Sequence, residues 1–182
     1  MRGVEMVRSV EIPDGVNVKV EGKNVTVTGE KGTLTRDFSH APVSILLDGN
    51  VVKVGANWPR KKEASLVGTV SSHIKNMMAG VTKGFTYKLK IVFSHFPISV
   101  KVSGKKVMIE NFTGERSPRL AKIMGEAKVV VKGEDVIVQG NSLEDVSQTA
   151  ANIEQATKVK VKDPRVFLDG IYVYEWHEGM EG

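Results

Sequence analysis

Apolar side chains recur along this chain in short alternating runs that break at a glycine, and the same break occurs four times. The pattern apolar-x-apolar-x-Gly-x-x-apolar-x-apolar begins at Val18 (VKVEGKNVTV), Ile45 (ILLDGNVVKV), Val100 (VKVSGKKVMI) and Val129 (VVVKGEDVIV). Period-two alternation puts every second side chain on one face of a strand, and glycine reaches the positive φ of a tight turn without steric penalty. Each run therefore predicts a β-hairpin. In the first, Val18, Val20, Val25 and Val27 share one face while Lys19, Lys23 and Thr26 point away.

The copies stand 27 residues apart in the first pair and 29 in the second, with 82 or 84 between equivalent members. A duplication of about 85 residues is the direct reading. After each second hairpin the apolar period changes. Pro59 precedes a predicted helix from Arg60 to Ala79, with Gly80 as its stop, and Val67, Val70, Ile74 and Met77 form one stripe. The equivalent stripe in the second half is Leu143, Val146, Ala150 and Ile153, behind a capping box at Ser142-Leu143-Glu144-Asp145. Extended segments follow each helix, at residues 84–93 and 166–174. The expected fold class is α+β: two tandem similar domains, each an antiparallel sheet of hairpins covered by one helix. The expected boundary lies near Ser94-His95-Phe96-Pro97, giving domains 1–94 and 95–182 with a short acidic tail at 175–182.

Composition narrows the class. The 182 residues are 41% hydrophobic and 26% charged, as in ordinary globular domains, and include no cysteine. Disulfides, thiolate metal sites and cysteine nucleophiles are thereby excluded. No apolar run approaches the ~20 residues of a membrane helix, and the start of the chain lacks the apolar core of a signal peptide. An intracellular, cytoplasmic protein without a membrane partner is expected. His40, His73, His95 and His177 are scattered, and neither a Walker A string, a Rossmann fingerprint nor a nucleophile elbow is present. The expectation is no enzyme, no cofactor, no metal and no small-molecule substrate.

The net charge of +5 favours polyanionic partners. Lys158-Val159-Lys160-Val161-Lys162 alternates strictly; if extended, it places three ammonium groups on one face, followed by Pro164 to fix the turn and Arg165 as a fourth cation. Such a row suits phosphate binding, although a solvated strand face has the same pattern. Arg116-Ser117-Pro118-Arg119-Leu120-Ala121-Lys122 reads as a second basic loop, suited to nucleic acid or simply flexible. Arg60-Lys61-Lys62 opens the first helix, where cations oppose the helix dipole; an anionic neighbour or Glu63 would offset them. Lys83-Gly84-Phe85-Thr86-Tyr87-Lys88 partly matches an RNA-stacking string, but core packing suits Phe85 and Tyr87 better. Among the C-terminal aromatics, Tyr172 is the best stacking candidate, and Gly170 permits close backbone approach.

Two tandem copies of this unit, with Ile12-Pro13, Gly84-Phe85-x-Tyr87-Lys88-Leu89, His95-Phe96-Pro97 and Asp163-Pro164-Arg165-Val166-Phe167-Leu168-Asp169-Gly170-Ile171-Tyr172, resemble the universal large-subunit ribosomal protein six family. The ending is similar to the archaeal and eukaryotic branch, and the short tails to its archaeal members. The resemblance implies binding to large-subunit ribosomal RNA near the stalk base, beside neighbouring ribosomal proteins and the docking region of translational GTPases. It makes Lys158, Lys160, Lys162 and Arg165 the main expected contact. Arg116, Arg119 and Lys122 assist, with Gly170 and Tyr172 beside them and Arg60, Lys61 and Lys62 as a weaker contact. The competing class is a non-ribosomal duplicated β-rich module that binds protein or anionic surfaces.

Overall fold

The structure is a computed structural model that describes residues 5–160, 163 and 165–180. Lys162 and Pro164, both expected in the contact, lie outside the described residues, as does Val161. The chain divides into two compact units, Met1–Lys83 and Gly84–Gly182.

In the first unit, β1 (Glu5–Glu11) precedes a meander of β2 (Asn17–Glu21), β3 (Asn24–Gly29) and β4 (Gly32–Asp37). The hairpin β5 (Ser44–Asp48) and β6 (Val51–Asn57) follows, then the helix α1 (Lys61–Thr82). Strand β1 pairs antiparallel with β6, giving the sheet order β1-β6-β5. The second unit repeats this order. Strand β7 (Phe85–Val92) comes first, then the meander β8 (Ser99–Ser103), β9 (Lys106–Glu110) and β10 (Arg119–Lys122). The hairpin β11 (Lys128–Lys132) and β12 (Asp135–Gly140) and the helix α2 (Leu143–Ala156) complete the copy. A strand without counterpart, β13 (Gly170–Glu178), then joins the free edge of β7, so this sheet runs β11-β12-β7-β13.

The four repeated glycines act as their spacing requires. Gly22, Gly49, Gly104 and Gly133 take φ of 65°, 58°, 57° and 62°. Each opens a two-residue turn, as the facing pairs Glu21↔Asn24, Asp48↔Val51, Ser103↔Lys106 and Lys132↔Asp135 show. Val18 faces Val27 and Val20 faces Val25, so all four valines share the core face. Val25, Val27, Val52 and Val54 pack with Val67, Ile74 and Val81 of α1 in one core. Leu89, Ile109, Val136 and Val138 pack with Val146 and Ile153 of α2 in the other. Burying aliphatic side chains in this way is the main favourable term in both units.

Three expectations change. The residues after the first helix belong to the second unit, because β7 pairs with β12 and β13; the break falls after Lys83 and not near residue 94. The helix runs through Gly80, which is buried inside it, and stops where Gly84 takes φ of 78° and the Lys83 N–H donates to the Ala79 carbonyl at 2.8 Å. Half of the supposed basic loop, Arg119 to Lys122, is strand β10.

Gly29 marks where the first unit closes tightly. A Cβ there would lie 2.8 Å from both the carbonyl oxygen and a methyl of Val81, and the Lys31 N–H already donates to that oxygen at 2.8 Å. Gly29→Ala is expected to destabilise the unit by about 1–3 kcal/mol through overpacking. Chemical denaturation measures this; unchanged stability would mean that the end of α1 gives way freely.

Candidate nucleic-acid interface

Helix α2 ends at Thr157, whose buried hydroxyl donates to the Glu154 carbonyl at 3.0 Å and accepts the Ile171 N–H at 3.0 Å. One side chain thus closes the helix and ties it to the start of β13. Of the run expected to be extended, the described residues Lys158, Val159 and Lys160 belong to no strand. Lys158, Val159 and Lys160 form an irregular ridge, though their alternation survives: both lysines are exposed and Val159 packs against the core.

Arg119 holds the ridge from beneath. Its Nε and Nη2 donate to both carboxylate oxygens of Glu115 at 2.9 and 2.6 Å. Its Nη1 donates to the carbonyls of Ala156 at 2.8 Å and Lys158 at 3.2 Å, and its guanidinium lies 4.3 Å from the centre of the buried Phe112 ring. Hydrogen bonding from Arg119 holds the Glu115 carboxyl below its ordinary range, against an opposing push from burial. An arginine so fully engaged is a brace, which differs from the assisting contact expected of it.

On the other side of the ridge, Asp169 organises the loop. It is 1% exposed and accepts from the Ser94 N–H at 3.1 Å, the Ser94 hydroxyl at 2.9 Å and the His95 N–H at 3.4 Å. The His95 Nδ1 lies 3.3 Å from the same carboxylate, and the ring stacks on Phe167 at 4.7 Å. Burial pushes the Asp169 carboxyl up, but these hydrogen bonds more than offset it, and the net shift is downward. The strings His95-Phe96-Pro97 and Phe167-Leu168-Asp169 therefore meet in space. Arg165 is exposed, with its Nε 3.9 Å from the Asp163 carboxylate, which also accepts the Arg165 backbone N–H at 2.9 Å. Gly170 gives its space to a side chain: a Cβ would lie 2.9 Å from the Tyr172 ring, whose hydroxyl donates to the Leu168 carbonyl at 3.0 Å.

Two grooves flank the ridge. One, of about 430 Å³, lies between Lys160 and the residues Arg119 and Leu120 of β10. The other, of about 530 Å³, lies between the last turns of α2 and the aromatic pair Phe167 and Tyr172. Lys122 follows Leu120 on the outer face of β10, and the register sets it opposite Lys106. Neither lysine has an ion pair among the described residues, and facing like charges destabilise a sheet unless an anion sits near them. Lys106 was not singled out from sequence, because only strand register brings it to Lys122. Arg116 is exposed in the loop before β10.

Arg60, Lys61 and Lys62 belong to the first unit and are exposed at the start of α1, where the Glu63 carboxylate accepts the Arg60 N–H at 2.9 Å. Beside them Trp58 is 66% exposed with φ of 49°, an uncommon conformation for a bulky residue. Phe85 is buried and Tyr87 stacks on Trp176 at 6.2 Å, so the partial RNA-stacking string is packing.

The model of the family described as Ribosomal protein L6 matches this chain twice, over residues 12–84 and 96–170. The chain is 54% identical over 175 residues to the large ribosomal subunit protein uL6 of Aeropyrum pernix, covering 96% of each chain. It is 52% identical to the protein of that name from Desulfurococcus amylolyticus, over 98% of this chain and 99% of the relative. The corresponding protein of Methanocella arvoryzae is 51% identical, over 93% and 96%. The doubled match falls on the two copies of the fold, and the likeness runs nearly end to end: the chain belongs to the ribosomal protein L6 family, proteins of the large ribosomal subunit.

Proposed function

We propose that this protein is a structural component of the large ribosomal subunit that binds large-subunit ribosomal RNA through its second unit. One observation carries the reading. Lys158 and Lys160 project from a ridge whose backbone is pinned by Thr157 and Arg119, and neither lysine has a carboxylate partner among the described residues. Cations held in place without internal neutralisation gain most from phosphate, because each contact releases condensed counterions. Arg165, Lys122 and Arg116 extend the cationic surface, with Lys106 joining through its register. Tyr172 and Gly170 shape the groove beside it, and Lys162 belongs to the same run by sequence. Arg60, Lys61 and Lys62 supply a weaker contact from the first unit.

The mechanism is recognition of backbone shape, not chemistry. Family membership supports a position near the stalk base, beside neighbouring ribosomal proteins, from which the docking of translational GTPases is influenced indirectly.

The double variant Lys158→Gln, Lys160→Gln tests this. With large-subunit RNA fragments at several salt concentrations, affinity near 0.1 M salt is expected to fall roughly ten- to a hundredfold. The slope of log affinity against log salt is expected to become shallower by about 0.7–0.9 for each lysine. Unchanged affinity and slope in a folded variant would move the interface elsewhere.

A further inference from the structure

The groove between α2 and the aromatic pair holds a feature that phosphate binding does not explain. Glu154 and Gln155 line it with Lys158, Val159, Phe167 and Tyr172. Its volume of about 530 Å³ falls within the range of roughly 300–1,000 Å³ that admits a small ligand. Phe167 and Tyr172 make part of this lining aromatic, and Lys158 is exposed beside them. Glu154 adds an acidic residue to this lining, beside the cations of the ridge. Among the described residues nothing donates to that carboxylate, and Lys158, four residues on, does not pair with it. The Gln155 side-chain amide is likewise without a partner among the described residues.

A carboxylate here repels a phosphate, so the group that fits it must bring N–H donors. A flat group also suits the aromatic lining. Unpaired bases meet both conditions, and they differ at the Watson–Crick edge. Guanine presents N1–H and the N2 amino group side by side, two donors that match the two oxygens of a carboxylate. Uracil presents one N–H between two carbonyls, which the carboxylate repels. Adenine and cytosine present an amino group beside a ring-nitrogen acceptor.

We propose that this groove takes an unpaired guanine of the bound RNA, with Glu154 as the specificity-determining residue and the flanking phosphates on Lys158 and Arg165. The proposal rests on the RNA-binding reading above, and its test keeps the two apart. The ¹⁵N-labelled full chain is titrated with the pentamers r(UUGUU), r(UUAUU) and r(UUUUU), while binding to a large-subunit RNA fragment is measured in parallel. r(UUGUU) is expected to bind about tenfold more tightly than the others and to shift the Gln155 side-chain amide and the backbone amides of Lys158 and Phe167. Glu154→Gln is expected to abolish that preference, because an amide offers one acceptor where the carboxylate offered two. Lys158→Gln is expected to weaken all three pentamers alike. If the large-subunit fragment binds while the pentamers bind equally or not at all, the guanine site is overturned alone. If the fragment also fails to bind, the RNA-binding reading falls with it.

Discussion

Asp169→Ala is expected to destabilise the second unit by about 2–4 kcal/mol, since it removes a buried, charged acceptor that three donors of Ser94 and His95 share. The carboxylate takes the Ser94 N–H and hydroxyl and the His95 N–H, and lies within reach of the His95 ring nitrogen. Alanine leaves those groups to water and frees the loop that the carboxylate ties down. For a unit of this size the melting temperature is expected to fall by roughly 10–20 °C, read by calorimetry. Asparagine does not rescue fully, because its amide turns a donor toward other donors. The pH dependence follows from the downward shift of the Asp169 carboxyl. Its folded value lies below its unfolded one, so the stabilisation is complete above about pH 4 and is lost as pH falls through the folded value. The wild type and Asp169→Ala curves are therefore expected to converge in acid. A constant gap between them down to pH 2 would assign the loss to packing and not to the charge.

The same residue shows where sequence reading reaches its limit. Nothing in Leu168-Asp169-Gly170 distinguishes this aspartate from an exposed turn acid, because its donors lie about 75 positions earlier in the chain. The hairpins were legible because everything that specifies them is local: a glycine at the turn and valines at alternate positions. Strand β4 was not, since Leu34 is its only apolar side chain, and β10 was hidden because Leu120 points outward while the small Ala121 faces the core. The boundary was misplaced for a related reason. Periodicity marks Phe85–Val92 as a strand but cannot say that its partners are β12 and β13 and not a strand of the first unit. In the candidate site the lysine alternation was visible, whereas the backbone that carries it is set by long-range bonds from Arg119 and to Thr157.

The duplication also explains where the site lies. In the first unit α1 passes through Lys83 and Gly84 straight into β7. In the second, the segment between α2 and β13 has no counterpart, and it carries the ridge and the Asp169 clamp. Two copies of one scaffold share their cores, so a function held by only one copy must depend on what the other lacks. The meanders differ in the same sense. Asn24 faces Asp37 in the first, where the second presents Lys106 opposite Lys122.

Arg119→Ala is expected to separate bracing from phosphate contact. It removes a bidentate pair with Glu115, two bonds to carbonyls at the end of α2 and a guanidinium packed on Phe112. The expected loss is about 2–4 kcal/mol, because the Ala156 and Lys158 carbonyls lose a charged donor and Phe112 loses the guanidinium packed on it, while the exposed Glu115 carboxylate turns to water. Lysine is expected to recover less than half, since one ammonium group cannot span the carboxylate and both carbonyls. RNA affinity is expected to fall in both variants as the ridge loses its support. Its salt slope is expected to stay near the wild-type value, unlike that of the double lysine variant, because no phosphate contact is deleted. A slope shallower by one full contact, with stability unchanged, would instead make Arg119 a direct ligand of the backbone and leave the ridge to hold itself.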